Sequence, residues 1–248
     1  FYKLQAALRS TWNTPRIISR AENHEKFLAL PRGCLSDVEA LLTANKIELR
    51  LDDMRSIGRR MNATFNGVLR SDQQEALEAV IKHDFGMLIA PTAFGKTVTA
   101  AAVIAKRKVS TLVIVHRADL MRQWQERLGS FIGLDEQKIG LIGAGKKKPT
   151  GMLDIAVIQS LARRDNLPEL FSQYGQVIID EAHHLTAETF EAVLKQASAR
   201  FILGLSATPV RSNGHHPIIF MQSGPVRHIA KRPAHVPDQL LVRVQPLP

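Results

Sequence analysis

Three short stretches of this 248-residue chain carry side chains able to handle a phosphate and the water that attacks it. The first is IAPTAFGKTVT, Ile89 to Thr99, which ends in Gly95-Lys96-Thr97. Such a loop turns backbone N–H groups toward phosphate oxygens at the head of a helix. A lysine then reaches the outer phosphates, and a threonine hydroxyl binds Mg²⁺. Pro91, Thr92, Ala93, Phe94, Gly95, Lys96 and Thr97 are the candidate phosphate-binding residues. The second stretch is QVIIDEAHH, where an apolar run delivers Asp180 and Glu181. One carboxylate suits a hydrated Mg²⁺ and the other a general base for water. The third is FILGLSATP, which brings Ser206 and Thr208 to the end of another apolar run. Taken singly, each stretch has an ordinary reading: a chance Gly-Lys-Thr, an acidic helix cap, or a hydroxyl-rich turn.

The elements that position these residues follow from periodicity. Short apolar runs at 86–90, 111–115, 153–158, 176–180 and 201–206 read as strands. Helical segments lie between them: VTAAAVIAKRK after Lys96, ADLMRQWQERLGSF and AETFEAVLKQAS. In the second of these, Leu120, Trp124, Leu128 and Phe131 recur at helical spacing and read as core. Upstream, SDQQEALEAVIKH carries a capping-box pattern, with Ser71 as N-cap and Gln74 three residues on. Continuous apolar strands alternating with helices imply an α/β fold with a mostly parallel sheet covered on both faces. Ligands of such sheets bind at the carboxyl ends of the strands, where all three stretches fall.

Residues 1–65 differ from the rest and read as a small α/β appendage. RIIS (16–19), KFLALP (26–31) and IELRLDD (47–53) are expected strands, and LSDVEALLTANK is a helix with Ser36 as its N-cap. Residues 213–248 have too little periodicity to assign and read as a linker or the truncated start of a further region.

The formal net charge of +10 suits a polyanionic partner. Cys34 is the single cysteine, which excludes an intrachain disulfide and points to a reducing compartment. No apolar run is long enough to span a bilayer and no signal-peptide pattern is present, so a cytoplasmic or nucleoid-associated location is expected. The pairs His183-His184 and His215-His216 lack the partners a metal site needs. Lys106-Arg107-Lys108 and Lys146-Lys147-Lys148 read as solvated faces or turns.

In this order, the pieces resemble the first motor domain of a superfamily 2 DEAD/DEAH-type helicase. APTAFGKT is similar to motif I (Walker A, the P-loop), DEAH to motif II and SATP to motif III. LRSDQQEAL is similar to the adenine-recognition motif, VHRADLMRQW to motif Ia, and VIQSLAR to the strand-contacting segment before motif II. The likeness covers about residues 68–212 and is greatest to the branch holding xeroderma-pigmentosum group B helicases and restriction-enzyme motor subunits. The resemblance implies a RecA-like three-layer domain over 66–212 that uses ATP and Mg²⁺. It further implies a nucleic-acid track, DNA in this branch, and a second RecA-like domain that completes the ATP site. Residue by residue, it implies Gln73 for adenine, Lys96 and Thr97 for phosphate and metal, and Asp180 and Glu181 for metal and water. His183, Ser206 and Thr208 would couple hydrolysis to movement, and His116, Arg117, Gln159 and Ser160 would lie near the nucleic-acid backbone.

Two departures stand out. Many members of this branch have glycine where this chain has Ala93, and alanine resists positive φ. Arg211-Ser212-Asn213 replaces an arginine followed by acidic residues, which removes the ground for a strand-separating role there. A chain with one motor domain is expected to bind ATP but turn it over poorly. The alternatives at this point are a nucleotide-gated nucleic-acid-binding module without turnover, or another phosphate-loop NTPase.

Overall fold

The computed structural model describes residues 19–181, 187–207 and 216–231. In the appendage, β1 (Glu22–Asn23) and β2 (Leu28–Ala29) form a minimal antiparallel pair, followed by α1 (Leu35–Ala44). Helix α1 starts one residue before Ser36, and Cys34 takes the cap position. The Ser36 cap is therefore displaced. Residues 47–53 form no strand; Ile47, Leu49 and Leu51 lie exposed with no neighbouring strand to pair with. Period-2 apolarity alone does not make a strand without a partner edge. Of RIIS, only Ser19 lies within the described residues. The appendage is tied to the main body by Arg32, whose guanidinium donates to the Ala197 and Ala199 carbonyls, and by a bridge between Ser56 and Ala199.

The main body begins with α2 (Ser71–Ile81) and β3 (Phe85–Ile89), continues through α3 (Lys96–Arg107), β4 (Thr111–Val115) and α4 (Ala118–Ile132), and then enters β5 (Gly140–Gly143) and β6 (Lys146–Lys148). It goes on with β7 (Leu153–Val157), α5 (Ile158–Leu161), α6 (Leu167–Ser172), β8 (Gln176–Ile179), α7 (Ala187–Leu194) and β9 (Phe201–Ser206). Two further elements follow, α8 (His216–Ser223) and β10 (Val226–Ile229). All five strands expected from apolar runs are present. The capping interaction of α2 sits one residue earlier than the Ser71/Gln74 pattern: Gln73 Oε1 accepts the Arg70 N–H at 3.1 Å, while Gln74 bonds Glu78.

The sheet order is β10-β3-β9-β8-β4-β7-β5-β6, parallel throughout except for the β5–β6 hairpin. Alternate side chains supply two cores, as the pleat requires. Leu88, Val113, Ile155, Ile178 and Leu203 meet Ala76, Val103, Trp124 and Leu128 of α2, α3 and α4 on one face. Met87, Leu112, Val177 and Ile202 meet Phe171, Phe190, Val193 and Ile219 of α6, α7 and α8 on the other. The result is the expected three-layer α/β domain.

Within the region expected to be a linker, residues 216–231 hold α8 and the edge strand β10, which lies parallel to β3. The strand VRHI is only half-buried, so it lacks the apolar continuity that marks central strands. Lys146–Lys148 forms the opposite edge strand. Arg107 departs from a solvated face: its guanidinium donates to His83 O at 2.7 Å and lies 4.3 Å from the Phe201 ring centre.

Candidate nucleotide site and nucleic-acid edge

The loop after β3 is held at both ends. Ala90 N–H donates to Ser206 O at 2.9 Å, which ties the loop entrance to the end of β9. Phe94 is fully buried and anchors the middle. Its carbonyl accepts from Gln73 Nε2 at 2.8 Å and from Arg70 Nη2 at 2.7 Å. The backbone is left-handed at Ala93 (φ +69°) and at Gly95 (φ +88°), so the strain feared from alanine is present in the fold. At Gly95 a Cβ would come 2.5 Å from Gln73 Nε2, so any side chain there would have to displace the Gln73 amide from its bond to Phe94 O. Lys96 is the first residue of α3, and the loop opens onto the positive end of that helix dipole. Gln73 thus lies against the loop, buried, with both ends of its amide engaged by Arg70 N–H and Phe94 O.

Strand order brings the acidic end of β8 to this loop, because only β9 separates β3 from β8. Lys96 Nζ lies 3.1 Å from Glu181 Oε1 and donates to Ala90 O, also at 3.1 Å. Glu181 is itself left-handed, at φ +50°, a conformation that non-glycine residues keep only where the surroundings enforce it. Asp180 is 7% exposed, and the Trp124 indole N–H donates to its Oδ2 at 2.7 Å. Burial raises the Asp180 carboxyl above its ordinary pKa, while the Trp124 bond and the Lys96 charge oppose that rise. Arg127 Nη1 lies 3.4 Å from Thr97 Oγ1. Ser206 is buried at the end of β9, between the loop and the acidic pair. His183 and Thr208 fall outside the described residues.

The donors gathered here are a hydroxyl and carboxylates, all hard oxygens. Among the described residues no group of three or more His, Cys, Asp or Glu could cage a metal alone. This set fits Mg²⁺, which takes one or two carboxylates and fills its remaining positions with water and phosphate oxygens.

The expected nucleic-acid residues occupy the next strand ends along the same edge. His116 and Arg117 follow β4, with Arg117 exposed and paired to Asp119 at 2.6 Å. Gln159 and Ser160 follow β7 on α5, Gln159 exposed and Ser160 half-buried. Ser160 lines a cleft of about 620 Å³ together with Gly143, Ala144, Gly145, Arg163 and Arg164. Sequence reasoning missed these glycines and arginines, as it missed Arg70 and Arg127. It assigned Trp124 to the core correctly but gave no sign of its polar contact. The signals were a Gly-Ala-Gly turn after an unrecognised strand, and arginines that lie in or beside the quoted motifs LRSDQQEAL and VIQSLAR, or on the helix ADLMRQWQERLGSF, without having been given a role.

A parallel sheet whose carboxyl edge sets a Gly-Lys-Thr loop against an Asp-Glu strand end defines a RecA-like domain of the phosphate-loop NTPase class. The family described as "Type III restriction enzyme, res subunit" matches residues 66–211, and the chain belongs to it. It is a superfamily 2 helicase family, and membership implies the use of ATP. The DNA 3'-5' translocase XPB2 of Sulfurisphaera tokodaii is 34% identical over 158 residues, covering 64% of this chain and 35% of that protein. The DNA 3'-5' helicase XPB of Mycobacterium tuberculosis is 33% identical over 168 residues, covering 65% of this chain and 30% of that one. The chain therefore spans about a third of the length of these curated relatives. Among solved structures, the UvsW helicase from bacteriophage T4 matches with a TM-score of 0.62 at 17% identity, over 82% of this chain and 80% of that one. The Sulfolobus solfataricus SWI2/SNF2 ATPase core in complex with dsDNA matches with a TM-score of 0.54 at 20% identity, over 67% of this chain and 38% of that one. The structural likenesses establish the RecA-like helicase fold. Among the described residues no helix is long and apolar enough to cross a membrane.

Proposed function

We propose that this chain is the ATP-binding first motor domain of a DNA translocase or helicase, working with a second RecA-like domain. The observation that carries the reading is the Lys96–Glu181 contact at 3.1 Å, which joins the phosphate loop to the acidic strand end in one site. The names of the XPB relatives support DNA as the track.

In this reading Pro91 to Thr97 cradle the phosphates, and Gln73 holds the loop; to recognise adenine as the resemblance implies, its amide would have to exchange its bonds to Arg70 N–H and Phe94 O for the base. Thr97 and Asp180 would hold Mg²⁺, which when bound would supply charge neutralisation on the outer phosphates. An arriving phosphate competes with the Glu181 carboxylate for the Lys96 ammonium. Once Lys96 turns to the phosphate, Glu181 is released to orient and deprotonate the attacking water. The arrangement thus keeps the base occupied until substrate is in place. His183, Ser206 and Thr208 couple the phosphate state to movement. His116, Arg117, Gln159 and Ser160 grip the nucleic-acid backbone, joined by Arg163 and Arg164 of the neighbouring cleft. An arginine finger supplied by that second domain would be worth several orders of magnitude in phosphoryl transfer, so residues 1–248 tested by themselves are expected to bind ATP and hydrolyse it slowly.

Calorimetric titration of Mg²⁺-ATP into the chain and into a Lys96→Ala variant, with and without duplex DNA, tests the proposal. Lys96-dependent binding that shifts with DNA is expected. Binding indifferent to Lys96 and to DNA would defeat it. Rapid turnover by the chain alone, lost in Glu181→Gln, would overturn the need for a second domain.

A further inference from the structure

Helix α4 begins at the expected nucleic-acid edge and reaches back into the nucleotide site. Two of its side chains touch the two residues assigned to Mg²⁺. The Trp124 indole N–H donates to Asp180 Oδ2 at 2.7 Å, and Arg127 Nη1 lies 3.4 Å from Thr97 Oγ1. The first contact is the better formed. Trp124 is 2% exposed and Asp180 7%, so water competes little for either group.

A buried indole needs a partner for its N–H, and most packing arrangements find one at a backbone carbonyl. Here the partner is a carboxylate oxygen at the end of β8, on the edge that carries the phosphate loop. A carboxyl group rotates with little preference about its last bond. A directional bond to one oxygen sets the plane of the group and so the direction in which the other oxygen faces. Groups behind a metal ligand act in this way, and their loss commonly costs ten- to a hundredfold in metal affinity.

We propose that Trp124 is a positioning residue for the metal: its indole N–H orients the Asp180 carboxylate that receives Mg²⁺ with the nucleotide. The proposal rests on the reading of Asp180 as the metal-side carboxylate. Trp124 also packs against the core that α4 shares with β4 and β7, so its bulk and its N–H must be tested separately. A packing defect weakens nucleotide binding with or without metal, whereas a positioning defect weakens only the part that Mg²⁺ adds.

The experiment compares ADP affinity in saturating Mg²⁺ with that in EDTA, by calorimetry, for four proteins. They are the unaltered chain, Lys96→Ala, Trp124→Phe, and a protein with 3-benzothienylalanine at position 124. That analogue keeps the bicyclic shape and replaces N–H by sulfur, so folding is preserved where phenylalanine leaves a gap. Lys96→Ala should weaken ADP binding in both conditions. Both Trp124 replacements should lose about tenfold of the Mg²⁺-dependent gain, and the benzothienyl protein should keep its EDTA affinity and melting temperature. A benzothienyl protein with the full Mg²⁺ gain overturns the positioning role and leaves the nucleotide site intact. A chain without Lys96-dependent ADP binding overturns the nucleotide-site reading, and this proposal with it.

Discussion

Replacing Ala93 with glycine isolates the cost of one methyl group in the phosphate loop. Ala93 is exposed and left-handed at φ +69°, so its side chain contributes little packing and the substitution acts through the backbone. An L-residue in that region is strained by about 1–2 kcal/mol. Glycine removes the strain but loosens the unfolded chain, which returns about 0.5–1 kcal/mol. The net relief is about 0.5–1 kcal/mol. Because the structure already holds the positive φ, part of this relief should appear as stability. For a domain of this size it amounts to a rise of about 1–4 °C in Tm. The rest should appear as tighter Mg²⁺-ATP binding, by about fivefold at most if all of it is realised on binding. Scanning calorimetry and titration of the same samples measure both parts. A variant with neither a higher Tm nor a lower Kd would refute the strain argument, and one that lost on both counts would show that the alanine is favoured there.

Gly95→Ala should have the opposite effect, since its Cβ would press 2.5 Å from Gln73 Nε2 at a φ of +88°. Loss of the Gln73 bond to Phe94 O with a weakening of about tenfold or more in nucleotide affinity is expected, readable with a fluorescent ATP analogue. Tyr174→Phe removes the hydroxyl that donates to buried Asp154, and should cost about 1.5–3 kcal/mol in urea unfolding at neutral pH. Burial, together with the Asp154 charge, raises the Tyr174 hydroxyl far above its ordinary range. The folded state therefore keeps a proton that the unfolded chain gives up near pH 10, and stability present below that pH falls as pH climbs past it. Tyr174→Phe should lack that alkaline decline; parallel pH curves for the two proteins would count against it. Deleting residues 216–248 strips β10 from β3 and removes α8 with its buried Ile218 and Ile219, which uncovers the core face that includes Met87 and Phe190. A lower Tm and self-association on size-exclusion chromatography are expected, and an unchanged monomer would show that this edge needs no cover.

Much of the main body is legible in its residues. The five central strands are apolar without interruption because both faces are buried, and their order along the chain fixes where helices must intervene. Lys96, Thr97, Asp180 and Glu181 can be singled out because their chemistry sits at strand ends, and an alanine where similar loops carry glycine marks position 93 as one to be strained. Other elements carry no such mark. Strand β10 is half-exposed, β5 and β6 are short and rich in glycine and lysine, and α5 and α6 span too few turns to show a period. Residues 47–53 show the reverse failure, an alternating pattern with no edge to pair with.

What the chain determines locally is which residues are buried and which strand ends bear reactive groups. Which strand lies beside which is settled by long-range pairing, and only that order sets Lys96 3.1 Å from Glu181. The same holds for Trp124. Its spacing along α4 dictates burial, but the direction of one N–H toward Asp180 depends on how the helix packs across β4 and β7. Periodicity records that a side chain is inside and is blind to the atom it meets there.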